Sequence, residues 1–126
     1  MEESMKGRLL CVDDDQDTCD MLTLLLGQAG YEVHHALTVT DGLAKARRGG
    51  FALILLDWNF EDGTGLDLCR QIRAFDSWTP LLFYTGEMDD GAIRLALSAG
   101  AQGYLIKPVA VDTLLRAISD YAVEPR

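Results

Sequence analysis

The residues of this sequence best suited to chemistry stand directly after its apolar runs. Asp13, Asp14 and Asp15 follow the run ending at Val12, Asp57 follows Leu56, Thr85 follows Tyr84, and Lys107-Pro108 follows Ile106. Taken singly, each has an ordinary reading. The Asp13 to Asp15 triplet suits a helix N-terminus, where capping and first-turn acids meet the helix dipole. Asp57 is a loop acid, Lys107 a solvated surface charge, and Thr85 unremarked. Their joint placement at four strand ends is what points to a site. Three ionised carboxylates brought together repel one another and are costly to desolvate unless a cation joins them. Oxygen donors without thiolate or imidazole favour a hard divalent ion, and Mg²⁺ is the abundant one that keeps several waters and coordinates phosphate oxygen.

The elements that must position these groups are legible in the hydrophobic pattern. Five apolar runs of strand length recur: Arg8 to Val12, Tyr31 to Ala36, Ala52 to Leu56, Leu81 to Tyr84, and Gly103 to Ile106. Each is followed by a helical pattern. Leu22, Leu25, Leu26 and Ala29 share one helix face, as do Val39, Gly42, Leu43 and Ala46. Ala92, Leu95, Ala96 and Ala99 form the stripe of a fourth helix, and Leu114, Ala117, Ile118 and Tyr121 that of a fifth. The third is less regular, with Leu68, Ile72 and Phe75 on one face and Leu66 and Cys69 beside them. Gly30, Gly49-Gly50 and Gly100 end three of the helices. Five strand–helix units with short connections require crossovers, which give an α/β domain with a doubly wound parallel sheet. In such sheets ligands bind outside the carboxyl ends of the strands, the ends where these carboxylates, Thr85 and Lys107 stand.

A chain of 126 residues suits one domain, residues 1–126, with a core over about 6–121 and no effector domain. Eleven Lys and Arg against twenty Asp and Glu leave a net charge of −9, which repels phosphate backbones and anionic lipid. Direct nucleic-acid or membrane contact is therefore not expected. Met1 to Arg8 carries Glu2 and Glu3, and the apolar run after it is too short for a signal peptide, so a cytoplasmic location is expected. Cys11, Cys19 and Cys69 are odd in number without CxxC spacing, which reads as small buried side chains. His34 and His35 adjoin on a strand and point to opposite faces, against a shared metal. The run Asp13, Asp15, Asp17 imitates a calcium loop, but Thr18 and Leu24 stand where that loop needs Gly and Glu.

With these residues in place, the sequence resembles the receiver (phosphoacceptor) domains of bacterial two-component response regulators. The motifs are VDDD at 12–15, LLD at 55–57, YTG at 84–86 and YLIKP at 104–108. The resemblance implies a flavodoxin-like sheet of order 2-1-3-4-5 with five helices. It implies Asp14 and Asp57 as direct ligands of Mg²⁺, Asp13 through water, and Asn59 through its backbone carbonyl. Asp57 would be the phosphoacceptor, a signalling role rather than that of an enzyme acting on other substrates. The donor would be the phosphohistidine of a sensor histidine kinase or histidine phosphotransfer protein. Lys107, the Thr85 hydroxyl and the Gly86 N–H would hold the phosphoryl oxygens. Thr85 and Tyr104 would form the switch, and Lys107-Pro108 would be cis. One departure is visible: the family often has proline four residues after the phosphoacceptor, where this chain has Glu61.

Phosphoryl transfer needs an in-line nucleophile and stabilisation of charge on the equatorial oxygens. Asp13, Asp14 and Asp57 with Mg²⁺ and Lys107 sum to zero formal charge, a balance able to accept a phosphoryl group. A haloacid-dehalogenase-type phosphatase would need a D-x-D-x-T/V pattern, which Asp17 breaks. A flavodoxin-like electron carrier would need a hydroxyl- and Gly-rich phosphate loop where this chain has carboxylates. The remaining alternative is a receiver-like module that binds proteins without phosphorylation. Asn59 and Glu87, two residues after Asp57 and Thr85, stand where water must pass and are expected to tune hydrolysis. Ile93 and Leu97 form a second stripe on the fourth helix. With Tyr104 and the fifth helix they would make the output face, for a homodimer or an effector.

Overall fold

The computed structural model describes residues 5–125. Glu2 and Glu3, part of the amino-terminal reading, and Arg126 lie outside the described residues. The chain runs β1 (Gly7–Val12), α1 (Gln16–Gln28), β2 (Tyr31–Ala36), α2 (Val39–Arg48), β3 (Leu53–Leu56), β4 (Asn59–Phe60), β5 (Gly63–Thr64), α3 (Gly65–Arg73), β6 (Leu81–Thr85), α4 (Asp90–Ser98), β7 (Gly103–Ile106) and α5 (Val111–Tyr121). Five strands make one parallel sheet in the order β2-β1-β3-β6-β7. With the small β4–β5 hairpin set aside, this is the flavodoxin-like order 2-1-3-4-5.

Alternation along the strands divides the core in two. Leu10, Val12, Ile54, Leu56, Leu81 and Phe83 face one side, with Leu68 and Ile72 of α3 and Ala96 of α4. Leu9, Cys11, Leu53, Leu55 and Leu82 face the other, with Leu22 and Leu26 of α1 and Leu114 and Ile118 of α5. Each fully buried Leu or Ile contributes roughly 1.5–3 kcal/mol of transfer free energy, which is why the apolar run Leu53 to Leu56 occupies the sheet centre. Thr38 and Thr64 cap α2 and α3, their hydroxyls accepting from the N–H groups of Asp41 (3.0 Å) and Asp67 (3.1 Å). The three cysteines are buried free thiols.

Several expectations need correction. Leu95, placed on the buried stripe of the fourth helix, is 48% exposed, because only Ala92 and Ala96 are fully buried on the sheet side of α4. Two small residues let the helix sit close, which leaves a narrow contact line. Tyr121 is 41% exposed at the end of α5. Phe75 lies beyond the last residue of α3, and its ring is covered by the Arg47 guanidinium, 4.7 Å from the centroid, rather than by the core. The third strand begins at Leu53, not Ala52, the fourth includes Thr85, and the first starts at Gly7. The β4–β5 hairpin, pairing Asn59 with Thr64 and Phe60 with Gly63, was not expected.

Candidate functional site

β1, β3, β6 and β7 end at one edge of the sheet, and the polar residues that follow them converge there. Carboxylate oxygens of Asp13, Asp14 and Asp57 all lie within 4.8 Å of one another. Asp13 is buried, Asp57 half-buried and Asp14 exposed, so the cluster opens outward on the Asp14 side. Lys107 reaches in from the end of β7. Its Nζ donates to Asp13 Oδ2 at 2.7 Å and to Asp57 Oδ2 at 3.4 Å, and lies 5.1 Å from the centroid of the Tyr84 ring. The other oxygens are held locally: Asp13 Oδ1 accepts from the Asp15 N–H (3.0 Å) and Asp57 Oδ1 from the Trp58 N–H (2.7 Å).

The electrostatics show a shortage of positive charge. Burial pushes the Asp13 carboxyl up, the Asp57 charge adds to the rise, and the Lys107 hydrogen bond only partly offsets them. Burial alone would lower the Lys107 ammonium, but the Asp13 hydrogen bond and the charges of Asp13 and Asp57 raise it instead. Beneath the cluster, burial and the Asp13 charge push the Cys19 thiol up to about 11. Three carboxylates therefore share one ammonium. A divalent cation would supply the missing charge, and the all-oxygen donor set of Asp13, Asp14 and Asp57 fits a hard ion such as Mg²⁺. Asp15 is the N-terminal cap position of α1, and its carboxylate takes the Thr18 hydroxyl at 2.7 Å rather than joining the cluster.

Thr85, the last residue of β6, is buried, and its carbonyl accepts from the Lys107 N–H at 2.8 Å, which fastens the ends of β6 and β7 together. The Thr85 hydroxyl accepts from the Glu87 N–H at 3.2 Å, and the Glu87 carbonyl accepts from the Tyr104 hydroxyl at 2.6 Å. Tyr104 stacks on Phe83 (5.6 Å between centroids, 20° between planes) and faces Trp58 at 6.5 Å. Burial first, then the carboxylates of Glu87, Asp57 and Asp89, push the Tyr104 phenol up to about 12. Gly86 is exposed, Glu87 half-exposed, and Asn59 exposed at the start of β4. Ile93 is half-buried on α4, Leu97 is 47% exposed, and α4 packs beside β7, which carries Tyr104. The Lys107-Pro108 bond is cis.

A family model described as the response regulator receiver domain matches residues 9–119. This chain belongs to that family. Among solved structures, the receiver resembles a CheY-like receiver domain protein from Methanospirillum hungatei, 33% identical, with a TM-score of 0.88 over 93% of each chain. It also resembles chemotaxis protein CheY4 of Vibrio cholerae, 32% identical, with a TM-score of 0.87 over 94% of this chain and 99% of that one. A transcriptional regulatory protein of Bacillus subtilis, YkoG, is 34% identical over 90% of this chain and 50% of its own length. The DNA-binding response regulator MtrA of Mycobacterium tuberculosis is 35% identical over 84% of this chain and 46% of its own. The receiver thus spans about half the length of the curated relatives it matches. Among its described residues, no helix is long and apolar enough to cross a membrane.

Two residues of this receiver's site escaped the sequence reading. Gly65 has no space for a side chain: a Cβ there would overlap the Asp57 carbonyl oxygen, far inside normal contact distance, and would lie 3.0 Å from Phe83 Cε1. The signal was present in the second Gly of DGTG, but a lone loop glycine has many explanations. Asp62, at the hairpin turn, accepts from the N–H groups of Val39 (2.8 Å) and Thr40 (2.9 Å) and from the Thr40 hydroxyl (2.8 Å). No local pattern announces a contact over 23 residues.

Proposed function

We propose that this receiver accepts a phosphoryl group on Asp57 in a Mg²⁺-dependent reaction and thereby switches a partner-binding face. The observation that carries the proposal is the position of Lys107 between Asp13 and Asp57, opposite a carboxylate group left short of cation. Asp13, Asp14 and Asp57 would hold the ion, with the Asn59 backbone carbonyl. When bound, Mg²⁺ neutralises charge on the transferred oxygens.

Asp57 would act as the nucleophile through a carboxylate oxygen. Its Oδ1 is held by the Trp58 N–H, so Oδ2, on the Lys107 side, is the attacking oxygen. The bond from phosphorus to the phosphohistidine nitrogen breaks with its electron pair staying on the imidazole, and the Oδ2–P bond forms. Lys107, the Thr85 hydroxyl and the Gly86 N–H hold the oxygens. The Thr85 hydroxyl can donate to phosphate while it accepts from the Glu87 N–H, and the Glu87 carbonyl holds Tyr104, so a movement of Thr85 toward phosphate would be passed through Glu87 to the β7 face. Asn59 and Glu87, at the mouth, tune hydrolysis of the acyl phosphate. The donor is a sensor kinase or phosphotransfer-protein phosphohistidine, and the 126 residues themselves make no direct nucleic-acid contact, given the net charge of −9.

Intact-mass measurement after incubation with a small acyl phosphate and Mg²⁺ tests the reading. One phosphoryl group is expected on wild type and none on Asp57→Asn. Absence from wild type, even with a cognate kinase, would leave the phosphorylation-independent module as the better description.

A further inference from the structure

The loop that follows Asp57 is fastened at three places. At its far end the Gly65 N–H donates to the Trp58 carbonyl at 2.7 Å, and the missing side chain of Gly65 lets the backbone close onto Asp57. In its middle, Asn59–Phe60 pairs with Gly63–Thr64. At its tip, Asp62 takes three hydrogen bonds from the first turn of α2. That turn is itself fixed against β1: a Cβ on Gly42 would lie 2.8 Å from Val12 Cγ1, and Val39 is buried in the core. Val12 directly precedes Asp13. A continuous frame therefore runs from Asp13 through Val12, Gly42, the α2 N-terminus and Asp62 to the hairpin that begins at Asn59.

We propose that Asp62 is a positioning residue for the cation site: by capping α2 from the hairpin tip, it holds the Asn59 backbone at a fixed distance from Asp13 and Asp57. The proposal rests on the Mg²⁺-dependent reading above. Helix α2 already has a cap of its own, since Thr38 accepts from the Asp41 N–H, so Asp62 is not needed to start the helix. What it adds is the tie between helix and loop. The three hydrogen bonds hold the Asp62 carboxyl below the usual carboxylate range, in keeping with an anion seated on a helix N-terminus. The chain's departure from the common loop proline falls one residue earlier, at Glu61, so this tie supplies rigidity where proline is absent.

Thr38→Ala provides the control, because it removes a cap from the same helix end without touching the hairpin. Mg²⁺ binding to the full chain is measured by titration calorimetry for wild type, Asp62→Ala, Asp62→Asn and Thr38→Ala, together with hydrogen exchange over residues 59–64 and phosphorylation rate at saturating Mg²⁺. Asp62→Ala is expected to weaken Mg²⁺ about tenfold, the low end for groups that orient metal ligands, and to speed exchange in the hairpin. Its phosphorylation rate recovers once Mg²⁺ saturates. Asp62→Asn, whose amide oxygen can still accept, falls between, and it carries the test if the alanine variant does not fold. Thr38→Ala keeps wild-type affinity despite lower stability. Equal affinity in Asp62→Ala and wild type, or equal loss in Thr38→Ala, overturns the proposal. A wild-type chain that binds no Mg²⁺ overturns the reading beneath it instead.

Discussion

The ammonium of Lys107 stands 2.7 Å from the carboxylate of Asp13, joining residues 94 positions apart in the chain. The pair sits at the edge of the sheet, with Asp13 buried and Lys107 one-quarter exposed on its side chain (25%). Replacing Lys107 with Met leaves Asp13 and Asp57 facing each other without a cation. We expect a loss of about 2 kcal/mol in metal-free buffer near neutral pH, below the range for fully buried pairs because Lys107 reaches solvent. Mg²⁺ should restore most of it. Urea denaturation with and without Mg²⁺ measures both, and a loss that Mg²⁺ leaves unchanged would contradict the charge argument. Asp14→Ala should act in the opposite sense, stabilising the metal-free chain slightly while weakening the response to Mg²⁺.

Gly65→Ala adds only a methyl group, but the methyl meets the Asp57 carbonyl and the Phe83 ring, and neither is a free end that can swing aside. Overpacking of this kind costs about 1–3 kcal/mol, and the backbone contact puts this site at the upper end. The loop after Asp57 must shift to relieve it. Thermal melting and the acyl-phosphate reaction should both suffer; a variant with wild-type melting temperature would show that the loop has slack.

The acid limit of stability should carry the signature of Asp62. Its carboxyl is held below the ordinary 3.8 by the hydrogen bonds from Thr40 and Val39. A depressed folded value means that the stabilisation is complete above the unfolded value and disappears as pH falls through the folded one. The stability difference between wild type and Asp62→Ala should therefore be constant from about pH 7 to about pH 5 and shrink below about pH 4. A gap that widens in acid would reverse the sign and refute the assignment. Lys107 behaves oppositely: its raised value keeps the ammonium in place through neutral pH, and its contribution fades only as pH climbs above the ordinary 10.5.

The proposed output face is best tested at the more exposed of its two apolar positions on α4. Leu97 is 47% exposed on α4, whereas Ile93 is half-buried, so Leu97→Arg should change stability by no more than about 0.5 kcal/mol. Asp57 phosphorylation should be untouched. Size-exclusion chromatography of phosphorylated wild type and variant decides the question: loss of phosphorylation-dependent association supports this face, and equal association places the output elsewhere.

The sequence by itself determined the strand-by-strand plan and the end of the sheet where the chemistry stands. Hydrophobic period is a local property and crossover connections make the strands parallel, so Asp13, Asp57, Thr85 and Lys107 could be assigned to one edge before any distance was known, whereas the strand order came from the family resemblance. The family motifs added the cis bond at Lys107-Pro108. Tertiary structure decided the rest. Whether Leu95 is core depends on how closely Ala92 and Ala96 bring α4 to the sheet, not on its place in a stripe. The hairpin after Asp57 is tied by Asp62 to an α2 N-terminus 22 and 23 residues earlier in the chain, a contact no local pattern announces. Only the packed arrangement shows that Gly65 is glycine because the Asp57 carbonyl occupies the space of a side chain. Periodicity follows from the covalent order of residues, whereas close approach is set by the three-dimensional meeting of elements that the order keeps apart.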